Sequence, residues 1–248
     1  MAEIWFYIFV GFAAQLVDGA LGMAYGLIAT SLLLGMGVTP ATASATVHTS
    51  EVFTTGFSAF WHHYFGNIDK ALFRRLLLPG MIGAGIGAYL LASISGDLLK
   101  PFIAVYLIVL GAVVVIKAFR EFPPIAVTKH VAPLGFSGAL VDAIGGGGWG
   151  PIVASTLLAR GSHARLTVGT VNAVEFFVTL TASLVFIATL GMMQWKIILG
   201  LALGGMLAAP IGAYIVKKIP IRPLMFFVGF LIMGLSGLTL FKTIAPRL

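Results

Sequence analysis

Residues 10–53 of this chain recur, without a gap, as residues 134–177. The identities include Gly11/Gly135, Phe12/Phe136, Asp18/Asp142, Gly22/Gly146, Gly26/Gly150, Gly37/Gly161, Thr46/Thr170 and Glu51/Glu175, all at an offset of 124. Further on, IGAY at 86–89 returns as IGAY at 211–214, the offset having grown to 125. A duplicated unit confines the chain to folds built from two copies of one architecture. The expected halves are 1–120 and 132–248, joined by a polar linker at 121–131 placed on the cytoplasmic side.

The unit is apolar almost throughout. Five apolar segments run through roughly 4–17, 21–36, 41–65, 71–92 and 98–118, and five more through 132–141, 146–159, 165–190, 195–216 and 223–241. The chain is 59% hydrophobic and 9% charged, against about 25% charged in soluble domains. A water-soluble globular fold cannot hide that much apolar side chain, so lipid is the expected solvent. The absence of cysteine excludes disulfides, Cys-ligated zinc, iron–sulfur clusters and thiol nucleophiles. The start, MAEIWFYIFVGF, has no basic region ahead of its apolar run, so no cleavable signal peptide is expected. The net charge of +7 would suggest nucleic acid in a soluble protein. Here the basic residues lie between apolar runs, where they orient a chain in a membrane.

Most segments are long enough to cross about 30 Å of hydrocarbon as a helix. The first two of each half are too short singly, and each pair is too long and too glycine-broken for one span. If each pair forms a hairpin or two short helices, Lys70, Arg74, Arg75, Lys117, Arg120, Lys129, Arg160, Arg165, Lys217, Lys218 and Arg222 share one side. Lys100, Lys196, Lys242 and Arg247 take the other, so fifteen basic residues divide eleven to four. A single crossing per pair divides the same residues nine to six. The positive-inside rule favours the first arrangement. The predicted fold is therefore an all-α polytopic membrane protein of two inverted repeats. Each repeat has about four full spans and opens on a glycine-broken hairpin or pair of short helices. Both termini fall outside the cytoplasm, and the cell (inner) membrane is the expected location.

Asp18, Glu51, Asp142 and Glu175 sit within or beside apolar segments as two repeat-matched pairs. An Asp at mid-bilayer costs about 2.5–3.5 kcal/mol on insertion scales. Acids kept twice at that cost either cap half-helices or carry a coupling cation. Capping is a strong rival for Asp18 and Asp142, because each precedes a glycine-rich break, DGALGMAYG and DAIGGGGWG. A break followed by a helix N-terminus leaves unpaired N–H donors at the positive end of the dipole, which suits an anion. Gly19, Gly22 and Gly26, with Gly145, Gly146, Gly147 and Gly148, are the candidate backbone site. Gly80, Gly83, Gly85 and Gly87 read instead as a helix-packing face.

The third segment carries Ser44, His48, Glu51, Thr55 and Ser58 on one helical face, and the matching segment carries Asn172, Glu175 and Thr179. Such a stripe faces a partner helix or a wet cavity. His48 and Asn172 are repeat-related and can each donate to an anion, or each make an interhelical hydrogen bond. No Lys or Arg falls mid-span, so acids near a bound anion need protons or a cation such as Na⁺ as counter-charge. His62 and His63, beside Trp61 and Tyr64, read as part of an interfacial aromatic belt. No metal site, cofactor or nucleic-acid partner is expected. A homo-oligomer is left open.

The stretches GFAAQLVDGALGMAYG and GVTPATASATVHTSE, with their second-half versions GFSGALVDAIGGGGWG and VGTVNAVEF, resemble the TauE/SafE family of membrane transporters over nearly the whole chain. That resemblance implies transport of a small sulfur oxyanion, sulfite or an organosulfonate, and no enzyme activity. The competing readings are a divalent-cation transporter, and an intramembrane enzyme or accessory protein, although no protease-like Ser/His pair or HExxH motif is present. Reporter fusions at residues 125 and 245 are expected on opposite sides of the membrane, with 245 outside. Both on one side overturns the inverted arrangement.

Overall fold

The computed structural model describes residues 3–94, 96–119, 130–160, 162–191, 194–215 and 221–245. The linker stretch 121–129, and with it Arg120, Lys129, Lys217, Lys218 and Arg247 of the basic-residue count, lies outside the described residues. The described residues are helical, with no strand. In chain order they form α1 (Ile4–Leu21), α2 (Tyr25–Gly35), α3 (Pro40–Tyr64), α4 (Lys70–Ser93) and α5 (Gly96–Ala118). The second half forms α6 (Val131–Gly145), a π-helical turn (Gly150–Ala154) that runs into α7 (Ser155–Ala159), then α8 (Ala164–Leu190), α9 (Trp195–Ile215) and α10 (Ile221–Ile244). Each matches one apolar segment of the sequence. α6 begins at Val131, one residue inside the linker expected at 121–131.

Among the described residues, six helices are long and apolar enough to cross a membrane: Ile4–Leu21, Lys70–Ser93, Leu98–Ala118, Ala164–Leu190, Trp195–Ile215 and Met225–Ile244. The chain is a multi-pass membrane protein. α3 has 25 residues, about 37 Å of helix, but its polar stripe keeps it out of that set. α2, with 11 residues, is about 16 Å long and cannot span alone.

The burial pattern is inverted relative to a protein in water. Trp5, Phe9, Leu78, Phe102, Leu184, Leu207 and Phe227 are exposed on the outer faces of the long helices, while Gln15, Asp18, Thr30, Ser50, Glu51, Asp142 and Glu175 are buried. Apolar side chains outside and polar ones inside are what a hydrocarbon solvent selects. α3 and α8 pack against each other at the centre, flanked by α9 and α4 respectively.

The contacts of one half recur in the other with the partners exchanged. α1 packs on α9 and α6 packs on α4. Gly11 of α1 abuts the Leu201 backbone, and its counterpart Gly135 abuts Leu76, the counterpart of Leu201. Gly205 faces Thr54 and Tyr25, whereas Gly80 faces Val178 and Trp149, again the matching residues. These are close helix crossings that only a missing side chain permits. Gly83 and Gly87 lie against the Phe136 and Leu140 backbone of α6, in the packing role expected of them; Gly85 has only ordinary contact, with Thr181.

A Cβ added at Gly204 would collide with the Ile8 carbonyl and lie 2.7 Å from the Phe12 nitrogen, whereas one at Gly234 meets nothing within 4 Å. Gly204→Val should therefore force α1 and α9 apart, at a cost of at least about 1–3 kcal/mol. Gly234→Ala should stabilise by up to about 1 kcal/mol through helix propensity. Thermal unfolding in detergent checks both, and a Gly204→Val protein as stable as wild type contradicts the close crossing.

Candidate functional site

The two glycine-rich breaks are built alike. α1 ends where Gly22 turns left-handed at φ 68° and its N–H donates to the Asp18 carbonyl at 2.6 Å. α6 ends where Gly146 turns at φ 67° and donates to the Asp142 carbonyl at 2.7 Å. Asp18 Oδ1 then accepts the Tyr25 N–H at 3.4 Å, at the first residue of α2. Asp142 Oδ1 accepts the Trp149 N–H at 3.0 Å, just before the π turn. Each aspartate thus spans its own break, satisfying a donor at the start of the following half-helix and placing negative charge on the positive end of its dipole. The capping reading of Asp18 and Asp142 describes these contacts.

The breaks cross one another. A Cβ on Gly26 would lie 3.0 Å from Gly147 Cα and 3.2 Å from the Gly146 carbonyl, and one on Gly147 would lie 2.6 Å from the Leu27 nitrogen. Thr30 donates to the Gly146 carbonyl and Tyr106 donates to the Gly147 carbonyl at 3.1 Å. The glycine run therefore has local reasons residue by residue: Gly145 and Gly148 make room for the Tyr106 ring and hydroxyl, Gly146 for Thr30, and Gly147 for the opposing break. Only Gly145 is helical, so four successive glycines do not weaken a helix here. The breaks also differ in backbone strain. Ala24 holds φ 125°, a conformation L residues avoid, and its counterpart Gly148 does not share it.

Where the breaks cross, Asp18, Glu51, Asp142 and Glu175 line one cavity together with Gly26, Gly147, Gly148, Gly150 and Pro151. All four acids are at most 5% exposed. The space is narrow, about 10 Å³ being open to the centre of a water molecule, about what one water needs. Asp18 Oδ2 and Glu175 Oε2 are buried without a hydrogen-bond partner. Four ionised carboxylates cannot share such a space without protons or cations as counter-charge.

His48 reaches this cluster from α3. Its Nδ1 lies 2.9 Å from the Ser44 carbonyl, which can only accept, so Nδ1 carries a hydrogen. Nε2 lies 3.2 Å from Asp142 Oδ2. That second contact must also contain a proton, held either by the imidazole or by the carboxyl. Ser44 Oγ donates to the Ala143 carbonyl at 2.7 Å, tying α3 to the end of α6. The repeat-related Asn172 behaves otherwise: its Nδ2 donates to the Val168 carbonyl at 3.2 Å, and its Oδ1 accepts from Ser58 at 2.7 Å. It bridges α8 to α3 through these hydrogen bonds, neither of which goes to Asp18.

Of the residues singled out in sequence, the structure gathers Asp18, Gly26, Glu51, Asp142, Gly147, Gly148 and Glu175 around the cavity, with His48 attached through Asp142. Gly19 lies apart, packed on Gly212 of α9, and Gly22 packs near Val168 and Ala154. Thr55 and Thr179 donate to the Glu51 and Glu175 carbonyls of their own helices, at 2.5 and 2.9 Å. Thr30 and Tyr106 were missed, although a hydroxyl inside an apolar segment was the available signal. His62 departs from the aromatic-belt expectation. It is buried, and its Nδ1 accepts from Asn67 Nδ2 at 3.1 Å, while Tyr64 is exposed as the belt requires.

A multi-pass helical bundle whose buried polar groups converge on two matched helix breaks is the architecture of a membrane transporter. The chain belongs to the TauE/SafE family: residues 7–240 match the family model described as "Sulfite exporter TauE/SafE". It is 43% identical over 228 residues to the "Probable membrane transporter protein YtnM" of Bacillus subtilis (strain 168), covering 88% of this chain and 76% of that protein. No solved structure matches the chain. A transporter of this family, in the cell membrane, agrees with the expectation from sequence.

A Cβ on Gly147 would also lie 2.7 Å from the Gly26 carbonyl carbon. Gly147→Val should therefore push the two breaks apart, at a cost of at least about 1–3 kcal/mol. Thermal unfolding in detergent checks this, and a variant as stable as wild type contradicts the crossing of the breaks.

Proposed function

We propose that this protein carries a small sulfur oxyanion, sulfite or an organosulfonate, by alternating access between two inverted halves, 1–120 and 132–248, with protons as the coupling ion. The observation that carries the reading is the crossing of the two capped breaks beside four buried acids and the proton-containing His48–Asp142 contact. The exchanged helix contacts support the two-halves arrangement.

The chemistry follows from competition for the half-helix N-termini. While Asp18 and Asp142 are ionised, their carboxylates hold the Tyr25 and Trp149 N–H groups. Charge-assisted hydrogen bonds of this kind are about twice as strong as neutral ones. Protonating an aspartate weakens its hold and removes the negative charge that repels an anion. The freed N–H groups and the dipole end then accept the oxyanion. Asp142 can receive its proton from His48. Glu51 and Glu175 line the same space and take up the remaining counter-charge. Proton and anion therefore enter together, and the cavity widens from its present narrow form when they do.

The second reading, a divalent-cation transporter, draws on the four carboxylates. Against it, no group of three or more His, Cys, Asp or Glu among the described residues is placed to hold a metal ion. Flux into proteoliposomes of sulfite, thiosulfate, sulfate, methanesulfonate, acetate and Mn²⁺, with imposed pH and Na⁺ gradients, separates the readings. Sulfur oxyanion flux driven by the pH gradient is expected; flux of Mn²⁺ alone overturns the proposal.

Asp142→Asn keeps an oxygen that can accept the Trp149 N–H but loses the ionisable group. Wild-type flux should rise as pH falls, and the profile should flatten in Asp142→Asn and shift in Glu51→Gln. Unchanged profiles in both variants remove these acids from coupling.

A further inference from the structure

A second polar cavity, of about 430 Å³, lies away from the breaks, between the C-terminal end of α2 and helices α5 and α10. Lys100, Lys242, Thr239 and Thr243 line it, together with Leu34, Gly35, Met36 and Gly37. No acid lines it. We infer that this cavity binds a small oxyanion, held by the two ammonium groups; the Thr239 and Thr243 hydroxyls donate to the Leu235 and Thr239 carbonyls of their own helix, at 3.1 and 2.8 Å. The site is argued from its own lining and stands apart from the transport reading.

The ordinary role for a lysine here is to cap the carbonyls at the end of α2. Those carbonyls are largely taken. Leu32, Leu34 and Leu33 accept from the backbone N–H groups of Met36, Gly37 and Val38 at 3.0 Å each. Lys242 makes one long bond, 3.4 Å, to the Gly35 carbonyl. An ammonium has three donors, so two remain. Two lysines converging on one cavity repel each other, and an anion between them removes that repulsion while supplying acceptors.

The repeat gives independent support. Lys242 corresponds to Lys117 at the offset of 125 already seen in IGAY. Lys117 is half-buried and donates to Ser155 Oγ at 2.7 Å and Thr156 Oγ1 at 3.2 Å, on the half-helix that matches α2. Lys117, from the first half, is thus satisfied by oxygen acceptors of the protein itself. Its second-half equivalent, Lys242, is exposed and faces a cavity large enough for an organic sulfonate as well as an inorganic anion. Its volume falls in the usual range for small-molecule sites, about 300–1,000 Å³. The anion can come from solution or from a lipid phosphate, since both present the same oxygens.

Amine-selective acetylation of the full chain in nanodiscs, read lysine by lysine by mass spectrometry, tests the site. One arm uses phosphatidylcholine discs with inorganic sulfate or methanesulfonate; the other uses phosphatidylglycerol discs without added anion. At ten times the dissociation constant, labelling of Lys100 and Lys242 should slow about tenfold, while exposed Lys70 and Lys196 keep their rates. Protection in the first arm identifies a free oxyanion as the ligand, and protection only in the second identifies the lipid headgroup. Lys100→Gln should weaken protection of Lys242, and Lys100→Arg should retain it. No protection in either arm overturns the site, as does full protection of Lys242 in Lys100→Gln. Protection in a protein that shows no flux leaves this site standing while the transport proposal fails.

Discussion

Backbone N–H and C=O groups inside hydrocarbon must find partners within the protein. Every unusual feature of this bundle traces to that requirement. Two helices stop inside the molecule, which lipid would not tolerate at an exposed surface. Each stop is covered by the other, and each is stitched by an aspartate seven residues before the N–H it accepts. Thr30 and Tyr106 supply the donors that the crossing carbonyls need. Remove the mutual burial, and the breaks would expose the groups that make them useful.

The glycine seams follow from the same demand. Breaks that cross at the centre require α1, α6, α9 and α4 to close tightly around them. Without a hydrophobic drive between helices in lipid, close approach and van der Waals contact hold the helices together. Gly11, Gly204, Gly83 and Gly87 sit where one helix meets the backbone of another. Apolar side chains such as Phe9, Leu78 and Phe227 are left to the outer faces. The two aspartates are tied to backbone N–H groups, and Asp142 also to His48, whereas Asp18 Oδ2 and Glu175 Oε2 have no hydrogen-bond partner.

Much of the fold could be read from sequence because hydropathy and duplication are local signals. The helices match the apolar segments nearly end to end, and the break between α6 and the π turn falls on the glycine run. The polar stripe on α3 was visible from the spacing of Ser44, His48, Glu51 and Thr55. What the stripe touches was not. His48 meets Asp142 across 94 positions and Ser58 meets Asn172 across 114, and no periodicity carries such pairings. The identical-looking partners Asp18 and Asp142 also part company only in three dimensions, since one has a histidine and the other an unpartnered oxygen. Gly19 was drawn into the candidate site by its neighbours in sequence, yet its environment is a helix seam.

Two copies of one unit need not be held alike. Ala24 is held at φ 125° in the first break, a strain the second break lacks. Ala24 is buried and lines the cavity of the four acids. Backbone strain is thus stored on one side of that cavity and not on the other, at a position where the opposite break has a glycine.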